Sequence, residues 1–337
     1  MRITGTFIDE ISHDIPSNNW NAQKWAKEFQ IMHHIGIDTV ILIRAGYKNV
    51  ATFNSKVLKK RINILPVYED LVDLFLGLAE ENRMDLFFGV YDSGVYRAQG
   101  NYQKEIDINC EFVDEVWQNY GHRKAFRGWY LSHELGRKDL PGQKCIQHIG
   151  MHCKEKSPDL PVLISPFLLG AKLVNNPISL AEHKVEWDEI LASLRGIVDI
   201  VAFQDGQVDY QDLAGYLEVN SELIRKHGMK AWSNAESFDR DKPFNFPPID
   251  WRKLWWKLCA AQEAGMEKAI TFEFSHFMSP QSCWPAAKDL FDCYCEHYGI
   301  NVNCPITKPV TKVAQALSKL EKMKSFNVNR GGREVFR

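Results

Sequence analysis

Short apolar runs rich in β-branched and aromatic residues recur along the chain. Each is followed by a polar loop and then by a longer stretch with apolar residues at helical spacing. The strand-like runs lie at 2–8, 38–43, 85–90, 126–131, 161–166, 199–204, 230–235 and 268–274. Between and after them, amphipathic segments at 20–36, 70–83, 110–121, 142–156, 179–196, 213–228, 250–265 and 284–299 predict helices. Several of these end on glycine, as helices leading into strands prefer. The alternation predicts an α/β fold, a single (β/α)8 barrel over residues 1–300. A doubly wound open sheet shows the same local alternation, but no G-x-G-x-x-G follows the first strand. Residues 45–61 read as an oversized loop after the second strand, of the kind that shapes a pocket. Residues 301–337 stand apart as a basic C-terminal extension with a short helix expected at 311–324.

A net charge of −2 removes any overall electrostatic footprint for nucleic acid or anionic membrane. No apolar run approaches the roughly 18 residues of a membrane span. The eight cysteines form no C-x-x-C and read as free thiols, which makes a zinc site from them unexpected. With no secretory pattern in MRITGTFIDE, they suggest a cytoplasmic protein. No cofactor and no metal are implied, and nothing in the sequence sets an oligomeric state.

A barrel gathers the C-terminal ends of its strands around one mouth, where chemistry sits. Polar residues at those ends are Asp9 and Glu10, Arg44, Tyr91 and Asp92, His133 and Glu134, Gln204 and Asp205, Asn234 and Glu236, and Glu273 with His276. Of the adjacent pair Asp9 and Glu10, alternation lets only one point inward, and Glu10 is the expected one. Glu273, flanked by Phe272 and Phe274, is taken to line the pocket. This excess of carboxylates, with Trp129, Trp232, Tyr91 and Tyr47 near them and Trp20 on a preceding loop as a stacking candidate, predicts a carbohydrate ligand. Aromatic faces would pack on sugar C–H surfaces while carboxylates accept from hydroxyls. Glycoside hydrolysis needs two carboxyl groups across one bond. The fourth and seventh strands lie on opposite sides of an eight-stranded barrel, so Glu134 and Glu236 can meet across the mouth.

This arrangement resembles the clan A, or "four-seven", glycoside hydrolases. The chain also resembles an uncharacterised bacterial family of glycosidase-like TIM barrels through GTFIDE…NNW (5–20), GWYLSHE (128–134), FQDG (203–206) and NAESF (234–238). The clan resemblance implies that Glu134 is the acid/base and Glu236 the nucleophile of a retaining reaction. Where clan A has Asn before the acid/base, this chain has His133. Two alternatives stand beside that expectation. One is a metal-dependent sugar isomerase or epimerase using Asp205, Glu134, Glu236 and Glu273 with a histidine as ligands. The other is a barrel that binds carbohydrate without cleaving it.

Overall fold

A computed structural model describes residues 1–12, 19–168, 178–240 and 246–301. Eight parallel strands close into a barrel: β1 (Ile3–Ile8), β2 (Thr39–Leu42), β5 (Asp85–Gly89), β7 (Phe126–Tyr130), β8 (Val162–Ile164), β9 (Ile200–Gln204), β10 (Lys230–Asn234) and β11 (Lys268–Thr271). They pair in chain order, and β1 closes the ring on β11 with Thr6 opposite Thr271. All eight expected strands are present. The expected basic extension and its helix lie outside the described residues.

The outer layer holds α1 (Ala22–His34), α3 (Leu71–Asn82), α4 (Tyr102–Tyr120), α5 (Leu140–Lys156), α6 (Leu180–Ser193), α7 (Tyr210–Lys226), α8 (Trp251–Glu263) and α10 (Pro285–Tyr298). Helix α4 starts eight residues earlier than its apolar periodicity implies, at Tyr102 rather than residue 110. Its first turns bury Glu105 and Asn109 beside Ile106 and Ile108, so polar letters there stand for an inward face. The oversized loop is structured. It carries β3 (Gly46–Tyr47) and β4 (Val50–Ala51), which with β6 (Tyr91–Asp92) form a three-stranded sheet at the rim. It then forms α2 (Lys56–Ile62), whose N-cap Ser55 accepts from the Leu58 N–H. The connection after β11 forms one turn, α9 (Phe274–Phe277).

Strand alternation divides the core in two. Phe7, Ile41, Phe87, Tyr130, Leu163 and Trp232 belong to the cluster that fills the barrel, with Phe272 packed against it. The opposite strand faces, Trp129 among them, form a second cluster with helix residues such as Trp25 and Phe29 of α1 and Trp187 of α6. Among the described residues, no helix is long and apolar enough to cross a membrane, and the seven described cysteines are all free.

One buried carboxyl ties α1 to the segment after α9. Glu28 on α1 accepts from the Ser279 hydroxyl at 2.8 Å and the Gln281 amide at 2.7 Å, just beyond α9. Burial pushes its pKa up to about 7, despite the opposing hydrogen bonds. Burial likewise raises Glu10 to about 8. A carboxyl raised on folding stabilises the protein below its unfolded pKa, and that contribution is lost as pH rises through the folded value. The urea midpoint should therefore fall between pH 5 and pH 8.5, and Glu28→Gln should flatten that fall. An unchanged slope in the variant would exclude Glu28 as a source of it.

Candidate active site

Where the strands end, a cavity of about 230 Å³ opens into the barrel mouth. Both Glu134 and Glu236 line it, as do Arg44, Gln204 and Asn234. The remaining lining residues that bear on its chemistry are Asp9, Tyr47, Gln207 and Arg240, with Phe238, Phe246, Phe272 and Phe277 making an aromatic wall.

Glu134 follows β7 on the same alternation that turns Tyr130 into the barrel. The Arg97 guanidinium donates to its carbonyl at 2.9 Å and fixes the backbone there. The residue as a whole is partly exposed, but its carboxyl is buried. Burial is the largest influence on the carboxyl and raises its pKa; Arg44 opposes the rise, Asp92 and Glu236 add to it, and a hydrogen bond from Gln204 opposes it again. Arg44 is held by Asp92 at 3.4 Å, by the Ser12 hydroxyl at 3.0 Å and over the Tyr47 ring at 4.8 Å.

Glu236 is almost fully buried, at 1% exposure, and is held from three sides. Arg240, four residues further on in the loop after β10, donates to both its oxygens at 2.9 and 3.1 Å. Arg240 itself lies over the Phe238 and Phe246 rings. The Glu236 N–H donates to Asp205 Oδ1 at 3.0 Å, and the buried Lys257 of α8 donates to that same oxygen at 2.7 Å and to the Glu236 carbonyl at 3.1 Å. From below, Gly206 makes room: a Cβ there would stand 1.6 Å from Glu236 Oε2. Any side chain at residue 206 would evict the carboxylate. Two buried acceptors of residues that line the cavity, Asn234 Oδ1 and Gln207 Oε1, carry no hydrogen bond and have almost no accessible surface. The other end of the Asn234 amide donates to Ser165 Oγ at 3.0 Å.

Of the residues expected at the site, ten do not line this cavity, and alternation accounts for most of them. Asp9 faces in and Glu10 faces out, where it meets the Tyr68 hydroxyl at 3.3 Å. Phe7 belongs to the barrel interior, so the odd positions of β1 are the inward ones. Ile270 sets the same parity on β11: Phe272 lines the cavity, and Glu273 is buried outside it against His276. Burial lowers the His276 pKa to about 3. Trp129 lies under the helices with its indole N–H on the Ser157 hydroxyl at 2.8 Å. Tyr91 packs on Phe112 and donates to the Lys48 carbonyl at 3.1 Å. Trp232 does face inward but sits deeper, against Phe87 and under Lys268. Trp20 packs on Trp25. Asp92 and Asp205 act one layer back, through Arg44 and Glu236.

His133 also faces away, its Nε2 at 3.0 Å from Glu105 Oε1. With Asp92 these form the one group of three candidate metal donors among the described residues, their atoms within 4.8 Å. Each carboxylate is already engaged, Asp92 by Arg44 and the Gly94 N–H, Glu105 by Ser93, Asn109 and His133. The ligand set expected for an isomerase is dispersed: Asp205 is on Lys257, Glu236 on Arg240, and Glu273 with His276 outside the cavity. Arg240 and Phe272 were not anticipated. The parity of β11 could have found Phe272, whereas the Glu236–Arg240 pair forms within a loop whose path local spacing does not give.

Comparison with known proteins places this geometry in a family. Residues 3–284 match the family described as Domain of unknown function (DUF4434), and the chain belongs to it. A crystal structure from Bacteroides thetaiotaomicron, provisionally described as an alpha-L-fucosidase, is 47% identical. It covers 89% of this chain and 94% of its own length, with a TM-score of 0.86. The hyperthermostable endo-1,4-beta-D-mannanase of Thermotoga petrophila is 12% identical over 81% of this chain and 88% of its own, with a TM-score of 0.53. The endo-1,4-beta-mannanase of Rhizomucor miehei is 12% identical over 80% and 85%, with a TM-score of 0.54. At that identity the two mannanases speak to the fold alone. No curated protein matches the sequence.

Lys257→Ala would leave Asp205 buried without its cation, which costs about 3–5 kcal/mol of stability. The Asp205→Asn/Lys257→Met double variant should recover most of that loss in urea denaturation, because it removes both charges together. A double variant as unstable as the single one would mean that Lys257 acts through packing instead.

Proposed function

We propose that this DUF4434 protein is a glycoside hydrolase, with Glu134 as acid/base and Glu236 as nucleophile of a retaining reaction. The observation that carries the reading is two carboxyl groups with unlike surroundings in one small cavity. The provisional fucosidase description of the 47% identical relative supports the same reaction class.

Glu134 is the proton donor. Burial favours its neutral form, with Arg44 only partly opposing that effect. Glu236 is the carboxylate, seated by Lys257, Asp205 and Gly206 so that its oxygens face the cavity. One Glu236 oxygen attacks the anomeric carbon, the bond to the leaving oxygen breaks, and that oxygen takes the Glu134 proton. Water then gives its proton to Glu134 and attacks the same carbon, which frees Glu236. Asn234 and Gln207 are polar parts of the lining, and the phenylalanine wall packs on ring C–H groups.

Arg240 has two consequences. Its fork occupies both Glu236 oxygens, so one hydrogen bond must loosen before attack. That pairing also favours a second reading, a barrel that binds sugar without cleaving it.

Glu134→Gln should lower kcat by about 10²–10⁴, and Glu236→Gln should abolish turnover, both with unchanged circular dichroism. The acid must be protonated, so activity should fall as pH rises through the raised Glu134 pKa, above the usual carboxylate range. Arg44 lowers that pKa, so Arg44→Met should move this basic limb to higher pH. Full turnover by Glu236→Gln would end the mechanism. Saturable sugar binding with no turnover by the wild type would establish the second reading.

A further inference from the structure

Glu105 sits in the first turn of α4 with no exposed surface, and the reaction above gives it no task. Burying a carboxyl away from water is costly unless hydrogen-bond donors surround it. Here they do. The Ser93 N–H donates to Oε1 at 3.0 Å, and the Ser93 hydroxyl donates to Oε2. His133 Nε2 lies 3.0 Å from Oε1, and the Asn109 amide of the same helix donates to it at 3.4 Å.

Both of the distant partners, Ser93 and His133, lead to Glu134. His133 is its neighbour in the chain, so the bond to Glu105 anchors the backbone where Glu134 begins. Ser93 directly follows Asp92, whose carboxylate holds Arg44 at 3.4 Å, the cation that partly compensates the Glu134 carboxyl. The Ser93 hydroxyl also accepts from the Val95 and Tyr96 N–H groups at 3.2 and 3.0 Å, which shapes the turn leading to Arg97. Arg97 then donates to the Glu134 carbonyl at 2.9 Å and pairs with Asp139 at 3.3 Å. Three routes from one side chain thus converge on the same residue. None of them reaches Glu236, which is held by Arg240, Asp205 and Lys257.

Resting on the hydrolase reading above, we propose that Glu105 is a positioning residue for the acid/base, fixing the Glu134 carboxyl against the leaving oxygen without touching substrate. Proton transfer requires the two oxygens to be about 2.6–3.2 Å apart. A misplacement of about 1 Å costs on the order of 10²-fold. Loosening Glu105 therefore weakens protonation of the leaving group and spares the attack by Glu236.

The test uses the full chain and leaving groups of unlike basicity. Phenyl and 2,4-dinitrophenyl α-L-fucoside, β-D-galactoside, β-D-mannoside and β-D-xyloside first identify an accepted sugar. Dinitrophenolate departs without a proton, whereas phenolate needs one from the acid. The ratio kcat/KM reports this first bond cleavage. Glu105→Met keeps the bulk and removes the acceptors. Its kcat/KM should fall about 10–100-fold on the phenyl glycoside and less than about threefold on the dinitrophenyl one. Ser93→Ala deletes only the hydroxyl link and should show the same split at smaller size. It decides the matter if Glu105→Met lacks native circular dichroism. Equal losses on both substrates are the mark of a merely structural role. They would overturn the positioning role and leave the hydrolase reading standing, as would no loss on either. A wild type that cleaves none of the glycosides would instead remove the hydrolase reading, and the positioning role with it.

Discussion

Two carboxyl groups share one confined space, and the rest of the site is arranged so that they do not behave alike. Left to themselves in a poorly solvated cavity, like charges raise each other's pKa and compete for one proton. Here the environments are separated. Glu236 is surrounded by compensation, with Arg240 on its oxygens and Lys257 with Asp205 on its backbone. Glu134 has a desolvated carboxyl that Arg44 only partly compensates. On the proposed mechanism, that difference would divide the roles of acid and nucleophile between chemically identical side chains.

The scaffold supplies the difference from a distance. Lys257 reaches the site from α8, inside a stretch whose tryptophans make it look like plain helix core. Asp92 reaches it from the rim sheet, built by residues that read as loop. Gly206 is required by the close approach of Glu236 Oε2. These parts touch the carboxylates or their partners, and none needs to touch a substrate.

The barrel was legible because strand and helix periodicities are properties of neighbouring letters. Glu134 and Glu236 were legible because barrel topology sends strand ends to one mouth. What failed was phase. One residue of phase decides whether a strand-end side chain enters the cavity or the outer core. Asp9 and Phe272 took the places given to Glu10 and Glu273, and Trp129 and His133 went under the helices. Aromatic letters misled for a related reason: a tryptophan in a barrel strand is more often packing than platform, and here the wall is phenylalanine from the segments after β10 and β11. Pairings such as Lys257 with Asp205 span 52 residues, and local pattern does not carry them.

The most direct measurement is covalent. A 2-deoxy-2-fluoro glycoside of the accepted sugar with a good leaving group, incubated with the protein and followed by peptide mass mapping, reports the attacking atom. Retaining catalysis predicts one stoichiometric glycosyl adduct, on Glu236. An adduct on any other residue, or steady turnover of the probe with inverted product and no adduct, would contradict the assignment of this carboxylate.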